Sequence, residues 1–182
     1  ISRGLVGSEM CIRDRSSQAE VKKAAEAFLS MEKPLDILLN NAGIMNRERN
    51  ETVDGLEEVF SVNHLAYFTF TLLLAEKLKN TSGSRVVNVA SGAHQFVKDM
   101  NFEDLQSEKT FRPMQVYGQS KLANILFTKS LSEKLSSFGV TVNCLHPGFV
   151  STGIGSNNNQ GLWTFLMLLS LIHISEPTRP RL

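Results

Sequence analysis

The sequence predicts an α/β domain built on a parallel sheet. Three short apolar runs rich in branched residues alternate with longer segments whose apolar residues recur at helical spacing. This alternation is typical of right-handed strand–helix–strand units, in which helices cover both faces of the sheet. The 182 residues are 42% hydrophobic and carry a formal net charge of +1. This composition indicates a globular protein and argues against a nucleic-acid partner.

The first predicted elements are a helix and then a buried strand. Cap-type and acidic side chains open the helical segment, and apolar residues recur from Val21 to Phe28. These signals predict a helix that ends near Ser30. After Pro34, the apolar run at residues 35–39 predicts a short strand buried on both faces.

Two long helices and two further strands follow. Residues 54–79 predict one helix, because their apolar residues are spaced to form a broad face. The β-branched run at residues 84–90 predicts the second strand. Residues 114–137 predict another helix, and residues 140–145 predict a third strand, which a Pro-Gly pair ends.

Polar, Gly or Pro residues directly follow each of the three predicted strands. These segments are residues 40–43, 91–93 and 146–152. In open parallel sheets, ligands bind beyond the carboxyl ends of the strands. The three segments are therefore predicted to form the functional edge of the sheet.

The pair formed by Tyr117 and Lys121 carries the clearest chemical signal. Their four-residue spacing places both side chains on one helix face. A phenol has a pKa near 10, too high for a base at neutral pH, and a neighbouring cation lowers that pKa. Such a pair can exchange a proton with an alcohol or a carbonyl. The same spacing also occurs on solvated helix faces, but Ser91, at the end of the second strand, can polarise a substrate oxygen beside Tyr117.

The motifs around this pair resemble those of the short-chain dehydrogenase/reductase family. The matching motifs are, in order, Asn40-Asn41-Ala42-Gly43, Val62-Asn63-His64, the strand leading to Ala90-Ser91, Tyr117-x-x-x-Lys121 and Pro147-Gly148-x-Val150-x-Thr152. Their order and spacing fit the family across residues 16–152. The stretch from Tyr117 to Asn124 is most similar to the retinol dehydrogenase and WW-domain oxidoreductase group.

The resemblance implies a role for each matching residue. Tyr117 would be the general acid/base, Lys121 would lower its pKa and bind the nicotinamide ribose, and Ser91 would hydrogen-bond the substrate oxygen. Asn63 would hold a water of the proton relay through its backbone carbonyl. The other matches would contact the cofactor: Asn40, Asn41, Ala42 and Gly43 on the adenosine side, and Pro147, Gly148 and Thr152 near the nicotinamide carboxamide.

The resemblance also implies a Rossmann-like, doubly wound parallel sheet that is incomplete. The family's N-terminal βαβ units, its last strand and its Gly-rich turn, which cradles the pyrophosphate, have no counterpart in the sequence.

We expect the parent protein to be an NAD(P)-dependent oxidoreductase that interconverts an alcohol and a carbonyl. We expect NADP rather than NAD, and no catalysis by this chain alone. The expected partners are a small lipophilic substrate and, in the complete protein, further copies of itself; we expect no spanning membrane segment in this chain.

Two other functions stay open. A binding or regulatory protein that kept the fold without the chemistry commonly loses one of Ser91, Tyr117 and Lys121, and all three are present. An epimerase or dehydratase of the extended branch shares the Tyr–Lys pair. The motifs at residues 40–43 and 147–152 favour the reductase over that branch.

Metal and disulfide chemistry are not expected. His64, His94 and His146 show no metal-ligand spacing. Cys144 lies within a predicted apolar strand, where we expect an inert core thiol. We therefore predict no metal site.

The two ends of the chain read as translated DNA adaptors. Residues 5–15 are LVGSEMCIRDR, and residues 169–179 are LSLIHISEPTR. One DNA strand can encode the first segment while its reverse complement encodes the second, and this DNA resembles the transposon-end adaptor used for sequencing libraries. We predict that residues 1–15 and 169–182 are adaptor-derived and that residues 16–168 are a partial NAD(P)-binding short-chain dehydrogenase domain.

Overall fold

A computed structural model describes residues 14–148 and gives them the predicted α/β architecture. The helices are α1 (Gln18–Leu29), α2 (Glu58–Phe60), α3 (Ala66–Leu73), α4 (Ala75–Lys79) and α5 (Pro113–Leu135). The strands are β1 (Ile37–Asn40), β2 (Arg85–Val89) and β3 (Thr141–Leu145). Thr152 and the predicted adaptor segments, apart from Asp14 and Arg15, lie outside the described residues.

The three strands form one parallel sheet in the order β1-β2-β3. The register pairs Leu38 with Val86 and Val86 with Val142. All three side chains are buried against the helices. The predicted α/β class with an incomplete parallel sheet is confirmed.

The helices of residues 14–148 pack against one face of this sheet. The core on that face joins Ala25 of α1 to side chains from all three strands and from the later helices: Leu35, Leu38, Leu74, Leu78, Val86, Phe127, Leu131, Leu135, Val140 and Val142. On the opposite face, Ile37 and Leu39 of β1 are 63% and 55% exposed. The prediction that β1 is buried on both faces is therefore wrong within the described residues, because no described helix covers the second face.

The first helix and the second and third strands agree closely with the predictions. Ser17 caps α1 as expected, and its hydroxyl accepts a hydrogen bond from the backbone N–H of Glu20 at 3.4 Å.

α5 begins at Pro113, a residue that the first turn of a helix tolerates. Its C-terminal end continues into the turn Ser136–Phe138, and Gly139 follows with φ 74°.

The single helix predicted over residues 54–79 is wrong, because this segment begins later and is interrupted twice. Glu57 starts α2 by accepting hydrogen bonds from the backbone N–H groups of Val59 and Phe60. The π turn Ser61–Leu65 then separates α2 from α3. A second break at Leu74, where φ is −94° and ψ is 1°, separates α3 from α4. Within residues 14–148, no helix is long and apolar enough to cross a membrane.

Candidate active site

The carboxyl ends of the three strands lie side by side, as the parallel register requires. Asn40, Asn88 and Cys144 occupy matching positions near these ends. The loops after β2 and β3 are also joined directly, because the backbone N–H of Gly92 donates to Nδ1 of His146 at 3.1 Å. The edge predicted to carry the function is thus formed by neighbouring loops.

Tyr117, Lys121 and Ser91 come together at this edge. The Lys121 ammonium nitrogen lies 5.5 Å from the centre of the Tyr117 ring and donates to the Val89 carbonyl at 3.1 Å. Ser91 follows β2 in extended conformation, and its hydroxyl lies within hydrogen-bonding reach of the Tyr117 phenol. The three residues are therefore placed so that they can meet one substrate oxygen.

Burial dominates the pKa values of the tyrosine and the lysine. Burial raises the pKa of Tyr117, and the hydrogen bond with Ser91 opposes this rise only in part. Burial lowers the pKa of Lys121 to about 8. The lowering of the Tyr117 pKa by Lys121 stays a prediction; in this structure desolvation, which penalises the charged form of each group, has the larger effect on both pKa values.

A glycine lets α5 approach the loop that carries Ser91. A Cβ atom on Gly118 would lie 2.7 Å from the backbone oxygen of Ala93. Real Cβ atoms do not come so close to a carbonyl oxygen. Because Gly118 has no side chain, α5 can pack closely against the turn Gly92–Phe96, which follows Ser91. This close packing brings Tyr117, the neighbour of Gly118, near that turn.

The loop after β1 passes directly over Lys121. A Cβ atom on Gly43 would lie 3.3 Å from the Lys121 ammonium and 3.3 Å from Oδ1 of Asn63. The buried Tyr67 holds the same loop, since its hydroxyl donates to the Ala42 carbonyl at 2.6 Å. Gly43 therefore lets the backbone of this loop pass against the buried lysine, whereas a larger residue at this position would contact the ammonium.

Asn63 lies buried in the π turn and clamps this loop through its side chain. Its Oδ1 accepts from the Ile44 N–H at 2.8 Å, and its Nδ2 donates to the Ile44 carbonyl at 2.9 Å. Nδ2 also lies 3.1 Å from the hydroxyl of Ser120. The backbone carbonyl of Asn63, predicted to hold a water, accepts a hydrogen bond from Nδ2 of Asn124 at 2.9 Å.

Asn40 differs from its neighbours in the same motif. Its side chain is buried on the helix side of the sheet, where Nδ2 donates to Thr71 at 3.0 Å and to Asn88 at 2.8 Å. Asn41 is exposed, and Ala42 and Gly43 are half-buried. The structure thus brings residues 41–43 to the edge but turns the Asn40 side chain into the core.

The predicted residues after β3 are only partly described. Pro147 and Gly148 are exposed beyond the strand, and Gly148 has φ 77°. Thr152 lies outside the described residues. Within residues 14–148, no group of three or more His, Cys, Asp or Glu side chains is placed to hold a metal ion.

Sequence reasoning missed several buried polar residues near the site, chiefly Tyr67, Ser120, Asn124 and Thr128. The last three are spaced four residues apart in α5, and Tyr117 and Lys121 lie three residues before Ser120 and Asn124, so the five residues share one face of the helix. On a helix with a buried face, this polar stripe was the available signal. It extends the site away from the tyrosine along α5.

This site lies at the carboxyl edge of a parallel sheet in an α/β domain, and comparison with known proteins gives the family. The chain matches the model of the short chain dehydrogenase family over residues 8–163. It therefore belongs to the short-chain dehydrogenase family.

Its similar relatives include retinol dehydrogenases. The chain is 44% identical to retinol dehydrogenase 12 of Mus musculus over 153 residues, which cover 83% of this chain and 48% of that protein. It is 46% identical to the Homo sapiens retinol dehydrogenase 12 over 145 residues, which cover 79% and 46%. The chain thus spans about half the length of the curated relatives it matches.

A solved short-chain dehydrogenase from Burkholderia cenocepacia, in complex with NADP, resembles the structure with a TM-score of 0.57. Its sequence identity to this chain is 29%, and the match covers 75% of this chain and 51% of the solved one. The family assigned from the sequence motifs is confirmed by these comparisons.

Proposed function

We propose that the protein is an NAD(P)-dependent oxidoreductase that interconverts an alcohol and a carbonyl. The observation that carries this proposal is the convergence of Ser91, Tyr117 and Lys121 beyond the ends of β1 and β2. Similarity to retinol dehydrogenases supports the reaction class. It also supports a small, lipophilic alcohol or carbonyl as the substrate.

The residues around Lys121 fit a nicotinamide dinucleotide. An ammonium group has three N–H donors, and among the described residues the structure gives Lys121 one hydrogen bond, to Val89. Two donors are therefore left for ribose hydroxyls. Lys121 is buried beneath the loop after β1, and Gly43 adds no side chain between the loop and the ammonium. In this proposal the cofactor lies along Asn41, Ala42 and Gly43, with Pro147, Gly148 and Thr152 at the nicotinamide end.

In the proposed reaction, Tyr117 transfers the proton and Ser91 orients the substrate oxygen. A nicotinamide held by these residues would supply or accept the hydride at the substrate carbon. During carbonyl reduction, Tyr117 donates its phenolic proton to the developing alkoxide, and the Ser91 hydroxyl donates a hydrogen bond to the same oxygen. The cationic Lys121 stabilises the resulting phenolate. Asn63 holds the loop after β1 in place, because its Oδ1 accepts a hydrogen bond from the Ile44 N–H.

The decisive experiment compares Tyr117→Phe with wild type in the full-length protein that carries this chain. NADPH oxidation is followed with aldehydes and ketones of increasing chain length. Because the variant keeps the ring and loses only the proton donor, we expect kcat to fall by about a hundredfold or more. Circular dichroism checks that the variant folds like the wild type, and an unchanged kcat would exclude the assigned mechanism.

We further propose NADP rather than NAD as the preferred cofactor, supported by the NADP complex of the Burkholderia cenocepacia relative. The ratio of kcat/KM with NADPH to that with NADH tests this preference. A ratio below one would overturn it. Sedimentation of the same full-length protein tests the proposed homo-oligomer.

The adaptor origin of residues 1–15 and 169–182 is also a proposal. Sequencing the genomic DNA on either side of the codons for residues 16 and 168 tests it directly. We expect coding sequence that diverges from the present ends at these positions. Genomic DNA that encodes LVGSEMCIRDR in the same frame would refute the interpretation.

A further inference from the structure

Asn124 connects the catalytic helix to the π turn that carries Asn63. It lies in α5, buried, three residues after Lys121. Its Nδ2 donates to the backbone carbonyl of Asn63 at 2.9 Å, and its Oδ1 lies 2.9 Å from Nδ1 of His64. One side chain thus contacts two consecutive residues of the turn.

The two contacts fix the orientation of the Asn124 amide. A carbonyl oxygen can only accept, so the atom facing Asn63 must be the amide nitrogen and the atom facing His64 must be the amide oxygen. The His64 Nδ1 must therefore carry the proton that it donates to Asn124. Burial lowers the pKa of His64, which is consistent with a neutral ring holding one proton on Nδ1.

The π turn explains why the backbone carbonyl of Asn63 takes a hydrogen-bond donor from Asn124. The Ala66 N–H bonds to the carbonyl of Ser61, five residues back, in place of the usual helical partner four residues back. Such a turn releases carbonyl groups from the regular helical pattern. The carbonyl of Asn63 is satisfied by Asn124, so the side chain from α5 stabilises the bulge at this residue.

Asn63 contacts both the loop after β1 and helix α5, so its position affects the placement of both. Through Ile44, the Asn63 side chain holds the loop that crosses Lys121. Through Ser120, whose hydroxyl donates to the Tyr117 carbonyl at 2.7 Å, it contacts the backbone of the catalytic tyrosine. A shift of Asn63 would therefore change the distance between the loop after β1 and the Tyr117–Lys121 pair.

We propose that Asn124 is a positioning residue that acts through Asn63, with His64 fixing its amide. This inference rests on the proposed function for its kinetic effect, but its effect on the loop after β1 does not depend on catalysis. Asn124 touches neither substrate nor cofactor in this proposal.

The test uses Asn124→Leu in the full-length protein, because leucine keeps the branched shape and removes both hydrogen bonds. The matched control is Ser84→Ala, just before β2 and at the opposite end of that strand from Ser91, which removes the buried hydrogen bond from the Ser84 hydroxyl to the Leu78 carbonyl at 2.8 Å. We measure thermal midpoint, kcat and KM with NADPH, and hydrogen exchange of the Ile44 amide by NMR.

Asn124→Leu is expected to lower kcat about tenfold and to speed exchange at Ile44 about tenfold. Ser84→Ala should leave both within about twofold of wild type while lowering the thermal midpoint to a similar extent. Wild-type kcat and wild-type Ile44 exchange in Asn124→Leu would overturn the proposal. Equal kinetic losses in the two variants would also overturn it, since they would indicate a general loss of stability.

A second variant covers the case in which Asn124→Leu does not fold. His64→Phe keeps a ring among Phe60, Phe68 and Phe127 and removes only the donor to Asn124. We expect exchange at Ile44 to rise about threefold, and an unchanged rate would count against the proposal. If the wild-type protein shows no carbonyl reduction, the proposed function fails, while exchange at Ile44 still tests the role of Asn124.

Discussion

Replacing Lys121 with methionine should make the fold more stable while removing a group for which we propose a catalytic role. Lys121 is 2% exposed, and burial lowers its pKa from 10.5 to about 8. Between these values the unfolded chain binds more protons than the folded chain, so stability rises with pH across this window. Below pH 8 the buried charge therefore opposes folding at its full magnitude.

The magnitude follows from the two pKa values. Their difference corresponds to about 3 kcal/mol of unfolding free energy at pH 7 and to about 1 kcal/mol at pH 10. Methionine also removes the hydrogen bond from the lysine to the Val89 carbonyl, which costs about 1 kcal/mol. The net expectation for Lys121→Met is about 2 kcal/mol of added stability at pH 7 and about none at pH 10.

Urea unfolding followed by circular dichroism at both pH values measures this difference. Lys129→Met, an exposed position on the same helix, is the control and should change stability little at either pH. A Lys121→Met variant that is less stable than wild type at pH 7 would refute the reasoning. So would a stability gain that does not shrink between pH 7 and pH 10.

Three further predictions concern packing, capping and cofactor binding. Gly118→Ala should cost about 1–3 kcal/mol of unfolding free energy, because its Cβ would lie 2.7 Å from the Ala93 oxygen; a neutral result in urea unfolding would contradict the close approach. Glu57→Ala should cost about 1–2 kcal/mol of unfolding free energy, since the carboxylate accepts hydrogen bonds from the N–H groups of Val59 and Phe60. Glu57→Gln should cost less, because burial raises the pKa of this carboxyl and glutamine carries no charge. Isothermal titration of the 182-residue chain with NADPH should detect no binding, and measurable heat of binding would disprove this expectation.

The order and type of the strands could be predicted from sequence because their signals are local. A β-branched run predicts β2 at residues 84–90, and the structure gives Arg85–Val89. The interruptions in the helix predicted over residues 54–79 have no such signal. The π turn at Ser61–Leu65 is held by Asn124, sixty-one residues after Asn63 in the chain, and no periodicity within the helix reports a contact so far away.

The faces of the sheet could not be assigned from sequence either. Ile37 and Leu39 alternate with Leu38, and all three are apolar. An apolar run of this kind predicts burial on both sides. Which side is covered depends on where the helices of the described residues pack, and α1, α4 and α5 all contribute to the core on the Leu38 side.

The Tyr117–Lys121 pair is a clearer signal in the sequence than the helix breaks, because it consists of residues that stability does not favour. The buried Lys121 has a lowered pKa and the half-buried Tyr117 has a raised pKa, so burial disfavours both charged forms and an apolar core would not select these residues. Their presence at a four-residue spacing is therefore informative about chemistry. Asn124 carries a weaker signal: it lies in the polar stripe of α5, but a buried amide with both hydrogen-bonding atoms paired costs little. Residues that position a site are thus harder to find in a sequence than residues that act in it, and the contacts of the folded chain are needed to show which residues they hold.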